Sequence, residues 1–322
     1  MSLAKCNNGA VKILVTGGAG FLGSHLCETL LSLGHTVTAL DDLSTGSLRN
    51  IDHLQGNRNF AFLEHDVRTP FEVDTELILN FACPASPVHY QSDPVRTMET
   101  NFLGIVNVLH LARASGAAVL QASTSEVYGD PTISPQDETY WGNVNPVGIR
   151  SCYDEGKRAA ETLCFDYMRQ YGVDARVVRI FNTYGPRMAL DDGRVVSNLI
   201  VQSLRNEEMT VYGDGSQTRS FCYVEDLVSV IIKIALHEEN IQSPINIGNP
   251  NEFTIRDLAE IIRKKVNPNL NISYIALPGD DPKQRRPDLT LVRNTFGWNP
   301  TIELEEGLDK TIKYFGRALE TS

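Results

Sequence analysis

Val15-Thr16-Gly17-Gly18-Ala19-Gly20-Phe21-Leu22-Gly23 is the stretch on which the fold of this chain turns. Gly18, Gly20 and Gly23 satisfy G-x-G-x-x-G, and Gly17, Gly20 and Gly23 also give the wider G-x-x-G-x-x-G spacing. Context makes the motif specific: the apolar run Lys12–Thr16 before it reads as a strand, and Phe21–Leu33 after it has helical periodicity. Gly17 and Gly18 permit a tight turn, and Gly20 lets the backbone approach a pyrophosphate. Gly23 lets the helix lie close to the sheet, its N-terminus facing the negative charge, with Phe21 and Leu22 in the same contact set.

Working outward, Thr36–Leu40, Phe60–Glu64, Leu77–Phe81, Ala118–Ser123 and Asp174–Ile180 read as further strands. Helical patterns at Met98–Ala114 and Tyr153–Tyr171 fall between them, and Gly34, Gly116 and Gly172 follow helical stretches as stop signals. Alternating strands and helices predict an α/β fold, a Rossmann-type doubly wound parallel sheet. Asp41 ends the second strand 18 positions after Gly23, where a carboxylate accepts bonds from ribose hydroxyls and repels a 2′-phosphate. The expected cofactor is therefore NAD rather than NADP. Asp42, Thr45 and Gly46 continue that loop, and Asp66-Val67 ends the third strand beside the adenine position. An Asp at a strand end can equally cap a turn, most of all Asp66.

After Ile180 the rhythm changes. Asn182–Ser197 is a loop rich in Gly, Pro and Asp, followed by a helix at Val196–Arg205, a polar turn at 213–216 and a helix at Val224–Leu236. A last strand, Ile245–Gly248, precedes a helix at Ile255–Lys265 and a proline-bounded loop, Pro278–Pro287. The expected division is a Rossmann domain over 1–182, rejoined by about 221–248, and a smaller substrate domain over 183–322.

The 322 residues are 42% hydrophobic, enough for a full core, and carry a net charge of -11. So acidic a chain lacks the broad basic footprint of a nucleic-acid binder, and any anionic ligand must be held by helix N-termini and individual arginines. Met1 to Ala10 is polar with no apolar signal core, and no run approaches the roughly 18 apolar residues of a membrane span. Six scattered cysteines with no C-x-x-C pair, and no histidine cluster, point to a thiol-reducing cytoplasm without disulfides or a metal site.

Tyr153 and Lys157 form Y-x-x-x-K, which on a helix projects both side chains from one face. A cationic lysine beside a phenol favours the phenolate and is expected to lower its pKa, so that the tyrosine takes a hydroxyl proton while a hydride leaves the same carbon. Ser123-Thr124-Ser125-Glu126-Val127-Tyr128-Gly129 leaves the fifth strand at its C-terminal edge, where such sheets place ligands. Thr124 supplies a hydroxyl there. Glu126 is a carboxylate that is costly in a cleft unless it has acid, base or orienting work, although a surface glutamate is the plain alternative.

Together Gly17–Gly23, Thr124, Tyr153 and Lys157 resemble the extended short-chain dehydrogenase/reductase family, over about Val11 to Phe315. Its members include sugar 4-epimerases, 4,6-dehydratases and decarboxylases. Four stretches are similar to the branch that decarboxylates UDP-glucuronate: Ala82-Cys-Pro-Ala-Ser-Pro-Val-His-Tyr90, Tyr140 to Lys157, Arg179-Ile-Phe-Asn-Thr-Tyr-Gly-Pro-Arg187, and Asp191-Asp-Gly-Arg-Val-Val-Ser-Asn198. Dehydratases of the family carry Thr-Asp-Glu where this chain has Thr124-Ser125-Glu126, and a serine cannot protonate a departing hydroxyl. Epimerases lack the carboxylate, so Glu126 speaks against them. A non-catalytic NAD sensor remains the reading from another class, and it has no need of this residue set.

The resemblance implies conversion of UDP-glucuronate to UDP-xylose and carbon dioxide through a 4-keto intermediate, with NAD recycled internally. It makes Glu126 an orienting carboxylate and Arg286 a proton donor or orienting cation. It further implies a diphosphate clamp of Arg219 and Arg286, with Ser125, Asn182, Val195 and Tyr212 in the substrate site. Phe81, Cys83, Thr100 and Ala122 would line the cofactor cleft, joined by Thr183 and Arg194, though Phe81 and Ala122 equally suit core packing. Family habit implies a homodimer built from the helices at Met98–Ala114 and Tyr153–Tyr171 in a four-helix contact.

Overall fold

The computed structural model describes residues 9–276 and 284–320; the start of the amino-terminal stretch and most of the Pro278–Pro287 loop lie outside them. In chain order the elements are β1 Lys12–Thr16, α1 Phe21–Ser32, β2 Thr36–Asp41, β3 Phe60–Glu64, β4 Leu77–Asn80, α2 Pro87–Ser92, α3 Pro94–Ser115, β5 Ala118–Thr124 and α4 Ser151–Tyr171. They continue as β6 Ala175–Ile180, β7 Thr183–Tyr184, α5 Val195–Leu204, β8 Met209–Tyr212, β9 Thr218–Ser220, β10 Cys222–Tyr223, α6 Val224–Ala235 and β11 Ile245–Ile247. Last come β12 Glu252–Thr254, α7 Ile255–Val266, β13 Ile272–Ile275, β14 Gln284–Arg285, α8 Thr290–Phe296 and α9 Leu304–Glu320.

Seven strands form one sheet in the order β11-β6-β5-β4-β1-β2-β3, every pairing parallel. Parallel strands need helical crossovers, and covering both faces buries the central strands completely. All seven residues of β5 and all four of β4 are accordingly buried. The strand order reverses between β1 and β4, which opens a crevice at the carboxyl ends of the strands. The glycine turn after β1 and the Thr124–Tyr128 loop after β5 both lie at that edge.

Helices α3 and α4 pack against each other on one face. Gly116 and Gly172 stop them with φ values of 77° and 69°, the left-handed conformation expected of a glycine cap. Small sheets β12-β9-β14 and β13-β8 stand beyond the main sheet, with α5, α7 and α9 beside them. The sequence reading missed α2, β7, β8, β9, β10, β12, β13, β14, α8 and α9. Helix α9 had a signal, because its buried positions Leu304, Leu308, Thr311 and Phe315 recur at helical spacing.

Candidate active site

Two clefts meet over the crevice. The first, of about 440 Å³, is lined by Gly17, Gly20, Phe21, Leu22, Gly23, Asp41, Asp42, Thr45, Val67, Phe81, Cys83, Thr100 and Arg194. The second, of about 350 Å³, is lined by Glu126, Arg150, Asn182, Thr183, Arg194, Val195, Tyr212, Arg219 and Arg285. Arg194 belongs to both, and its guanidinium is paired with Asp192 at 2.5 Å.

The glycine turn fits a dinucleotide for steric reasons. A Cβ on Gly17, whose φ is +68°, would stand 2.8 Å from the Phe81 carbonyl carbon, and one on Gly23 would stand 2.0 Å from the Gly17 oxygen. No side chain caps the start of α1 and no acidic residue occupies its first turn, so its leading N–H groups are open to an anion. Asp41 is buried and accepts from the Ala19 and Leu43 amides at 3.0 and 2.9 Å, which ties the turn to β2. Burial pushes the Asp41 carboxyl up, partly offset by those two bonds. Substituting Gly23→Ala forces backbone apart, so the purified variant is expected to lose bound NAD and about 1–3 kcal/mol of stability. Cofactor content and melting temperature measure both.

Other cofactor residues named from sequence fall differently. Asp66 does not line the cleft; its carboxylate is taken by Arg68 at 2.7 Å while Val67 faces inward. Gly46 lies against the Asp41 carboxylate rather than in the cleft. Thr183 lines the second cleft, not the first, and its hydroxyl donates to the Phe181 carbonyl at 2.9 Å. Ala122 contributes its carbonyl oxygen, which accepts from Lys157 Nζ at 3.0 Å.

Beneath the junction of the clefts, the end of β5 and the first turn of α4 bring Thr124, Glu126, Tyr153 and Lys157 together, all buried. The Thr124 hydroxyl is hydrogen-bonded to the Tyr153 phenol and also accepts the Glu126 amide at 3.2 Å. Lys157 Nζ sits 5.7 Å from the Tyr153 ring centre, and Tyr90 of α2 stacks on that ring at 5.0 Å. One expectation needs correction. Burial, then the neighbouring Cys83 and Glu126, push the Tyr153 phenol well above its ordinary value, against a smaller downward pull from the Thr124 hydrogen bond. Lys157, itself lowered by burial, does not make a phenolate in the protein alone.

Glu126 is the centre of a buried charge cluster. Its Oε2 lies 2.6 Å from Arg150 Nη2 and its Oε1 lies 3.1 Å from Arg285 Nη1. Burial opposes ionisation, but the guanidinium groups of Arg285 and Arg150 win and hold this carboxyl below its usual range. The sequence reading had put Arg286 in this place. In the fold Arg286 points outward, its side chain 45% exposed and 3.8 Å from Glu252, and it does not line the sugar-side cleft. Side chains alternate along a strand, and β14 pairs with β9 so that Arg285, not Arg286, stands beside Arg219.

Gln136 clamps this register. Its amide donates to the Arg286 carbonyl at 2.9 Å, its side-chain oxygen accepts the Arg286 amide at 2.9 Å, and its carbonyl accepts the Asp288 amide at 2.8 Å. Below the site, Arg179 binds Glu161 at 2.8 Å and the Tyr128 hydroxyl at 2.9 Å, supporting the Thr124–Tyr128 loop. Ser125 is buried there without facing either cleft. Sequence reasoning missed Arg150 and Asp154. They lie one turn apart within the quoted Tyr140–Lys157 stretch, beside the Y-x-x-x-K face.

A parallel sheet in Rossmann order, a glycine turn at its crevice and a buried Thr-Tyr-Lys set define a dinucleotide-dependent enzyme of the short-chain dehydrogenase type. The chain belongs to the NAD dependent epimerase/dehydratase family, whose sequence model matches residues 13–248, and its cofactor is NAD. It is 52% identical over 309 residues to UDP-glucuronic acid decarboxylase 1 of Danio rerio, covering 96% of this chain and 73% of that one. It is also 52% identical over 299 residues to UDP-glucuronic acid decarboxylase 3 of Arabidopsis thaliana, covering 92% and 87%. Among solved structures it superposes on UDP-glucuronic acid 4-epimerase from Bacillus cereus, bound to UDP-glucuronic acid and NAD, with a TM-score of 0.85, 27% identity, and 95% and 99% coverage. UDP-glucose 4-epimerase of Thermotoga maritima matches with a TM-score of 0.87, 29% identity, and 96% and 99% coverage. Among the described residues no helix is long and apolar enough to cross a membrane, and no group of three His, Cys, Asp or Glu residues is arranged to hold a metal ion.

Proposed function

We propose that this chain is an NAD-dependent decarboxylase that converts UDP-glucuronate to UDP-xylose and carbon dioxide. The observation that carries the reading is the carboxylate of Glu126, held anionic between Arg150 and Arg285 at the sugar-side cleft, next to the Thr124–Tyr153 pair. The UDP-glucuronic acid decarboxylases reported above, 52% identical to this chain, support it. The first cleft takes NAD, with the glycine turn on its pyrophosphate and Asp41 at its ribose. The second takes the sugar nucleotide, with Arg219 on the diphosphate, Asn182 beside it, and Val195 and Tyr212 on uridine. Arg219 suits the task because a guanidinium fork matches phosphate oxygens. Arg286 has no part in this clamp.

Bound NAD supplies the two-electron acceptor and donor at sugar C4. Tyr153, hydrogen-bonded to Thr124 and ionised only once NAD is bound, takes the C4 hydroxyl proton as the carbonyl forms, and Lys157 holds a positive charge beside the ring. The 4-keto sugar is a β-keto acid, so its C5–carboxylate bond breaks and the electron pair enters an enolate. Glu126 faces that carboxylate as a like charge, a repulsion relieved when neutral carbon dioxide leaves. A proton at C5 and reduction at C4 complete UDP-xylose. Ser125, unlike an aspartate at that position, cannot protonate a departing hydroxyl, which speaks against dehydration.

The test is to give the purified protein UDP-glucuronate without added NAD. Carbon dioxide and UDP-xylose in equal amounts are expected; an untouched glucuronate would sink the reading. Release of a UDP-4-keto-pentose would place the failure in the reduction half alone.

On the same reading the Rossmann unit spans 1–182 with 221–248, and 183–322 otherwise carries the sugar nucleotide. The protein pairs into a homodimer through α3 and α4. The apolar side chains of Val95, Met98 and Phe102, exposed at helical spacing on α3, support that contact. A solution mass near twice 35.7 kDa is the expected result of light scattering. Placement in the cytoplasm draws support from the free thiols of Cys27, Cys83, Cys152, Cys164 and Cys222, and imaging of a tagged chain checks it.

A further inference from the structure

Decarboxylation leaves an enolate that must be protonated at C5, so each turnover consumes one proton inside a buried pocket. Asp154, directly after Tyr153 on α4, is placed to hold it. The residue is 8% exposed, and its Oδ1 is buried with no hydrogen-bond partner among the described residues. Its carboxyl group is hydrogen-bonded to that of Glu126. Two carboxyl groups can share a hydrogen bond only when one carries a proton. Both oxygens of Glu126 already accept from guanidinium groups, so Glu126 is the acceptor and Asp154 the donor.

We propose that Asp154 stores the proton destined for C5 and delivers it through Glu126 once carbon dioxide has left. The inference rests on the decarboxylase reading and deepens it. As the C5–carboxylate bond breaks, its electron pair enters the enolate. Asp154 then passes its proton to the Glu126 carboxylate, Glu126 passes it on to C5, and water restores Asp154 after product departs. Glu126 touches the sugar and is catalytic; Asp154 acts through it and is a positioning residue.

The charged and titratable groups facing the pair are Arg150 at the start of α4, Arg285 of β14, Tyr90 of α2, Cys152 and Tyr153 of α4, and Arg194 ahead of α5. Tyr90 is neutral, because burial raises its phenol. Burial, then the adjacent Glu126 charge, pushes the Asp154 carboxyl well above the ordinary carboxylate range. A group raised in this way is protonated at neutral pH and loses its proton as pH rises. Activity should therefore fall on the alkaline side.

Asp154→Asn preserves shape and can donate an N–H to Glu126, but it has no acidic proton. Its kcat should drop about 100-fold with KM within about threefold, its alkaline limb should vanish, and Asp154→Glu should recover part of both. Wild-type kcat and an unchanged limb in Asp154→Asn would overturn the proposal. Infrared difference spectroscopy of the wild-type holoenzyme gives a variant-free check: a protonated carboxyl band at neutral pH that titrates away in alkali is expected. Its absence sinks the stored proton even if the variants do not fold. A wild-type protein that releases no carbon dioxide sinks the functional reading instead, while the infrared band still reports on Asp154.

Discussion

Tyr153→Phe is expected to lower kcat for carbon dioxide release by about 1,000-fold, within the usual span for a lost general base. The ring of Tyr153 stacks on Tyr90 at 5.0 Å and is buried, so phenylalanine fills the same volume and leaves the packing intact. NAD content and UDP affinity should therefore stay near wild type, confining the loss to the proton transfer. A pH titration makes the point sharper. Because burial holds the phenol protonated, ultraviolet absorbance of the NAD-free protein should show no Tyr153 phenolate up to its ordinary value of 10.0, taking Tyr153→Phe as the blank. An early phenolate in NAD-free protein would contradict this picture and return the activation to Lys157.

Arg285→Met is expected to cost 100-fold or more in turnover, about the loss seen when one preorganised electrostatic partner is removed. Arg286→Met should be nearly silent. The two residues are adjacent, but Arg285 is buried against Glu126 at 3.1 Å while Arg286 meets Glu252 at the surface. Breaking a buried pair from one side leaves an uncompensated charge, about 3–5 kcal/mol in stability, whereas an exposed pair is worth about 0–1 kcal/mol. Thermal melting should separate the variants in the same order as activity. Glu126→Gln completes the set: it should keep NAD bound and slow carbon dioxide release. Equal effects at 285 and 286 would mean that β14 is registered differently from the pairing described.

The doubly wound sheet was legible because its causes are local. Apolar runs of strand length, helical periodicity and glycine stops are written residue by residue, and β1, β3 and their neighbours fall within a residue or so of expectation. The glycine turn, the Y-x-x-x-K pair and the Thr124–Glu126 loop were legible for the same reason. Short strands such as β9 and β14 were not. Two or three residues carry too little periodicity to declare themselves, and their form depends on the partner they meet.

The amino-acid sequence by itself determined that a glycine-lined turn opens a helix after β1, and that a phenol, a lysine, a hydroxyl and one carboxylate occur at the spacing this chemistry needs. Only the tertiary structure decided which charges surround that carboxylate. Arg285 reaches it from a strand 159 positions away, and no local pattern distinguishes Arg285 from Arg286. The choice between them is made by the register of β14 on β9, clamped by Gln136, because a strand turns successive side chains to opposite faces. Ionisation was likewise set by packing: burial raises the Tyr153 phenol in the NAD-free protein, and two guanidinium groups hold Glu126 below the usual carboxylate range.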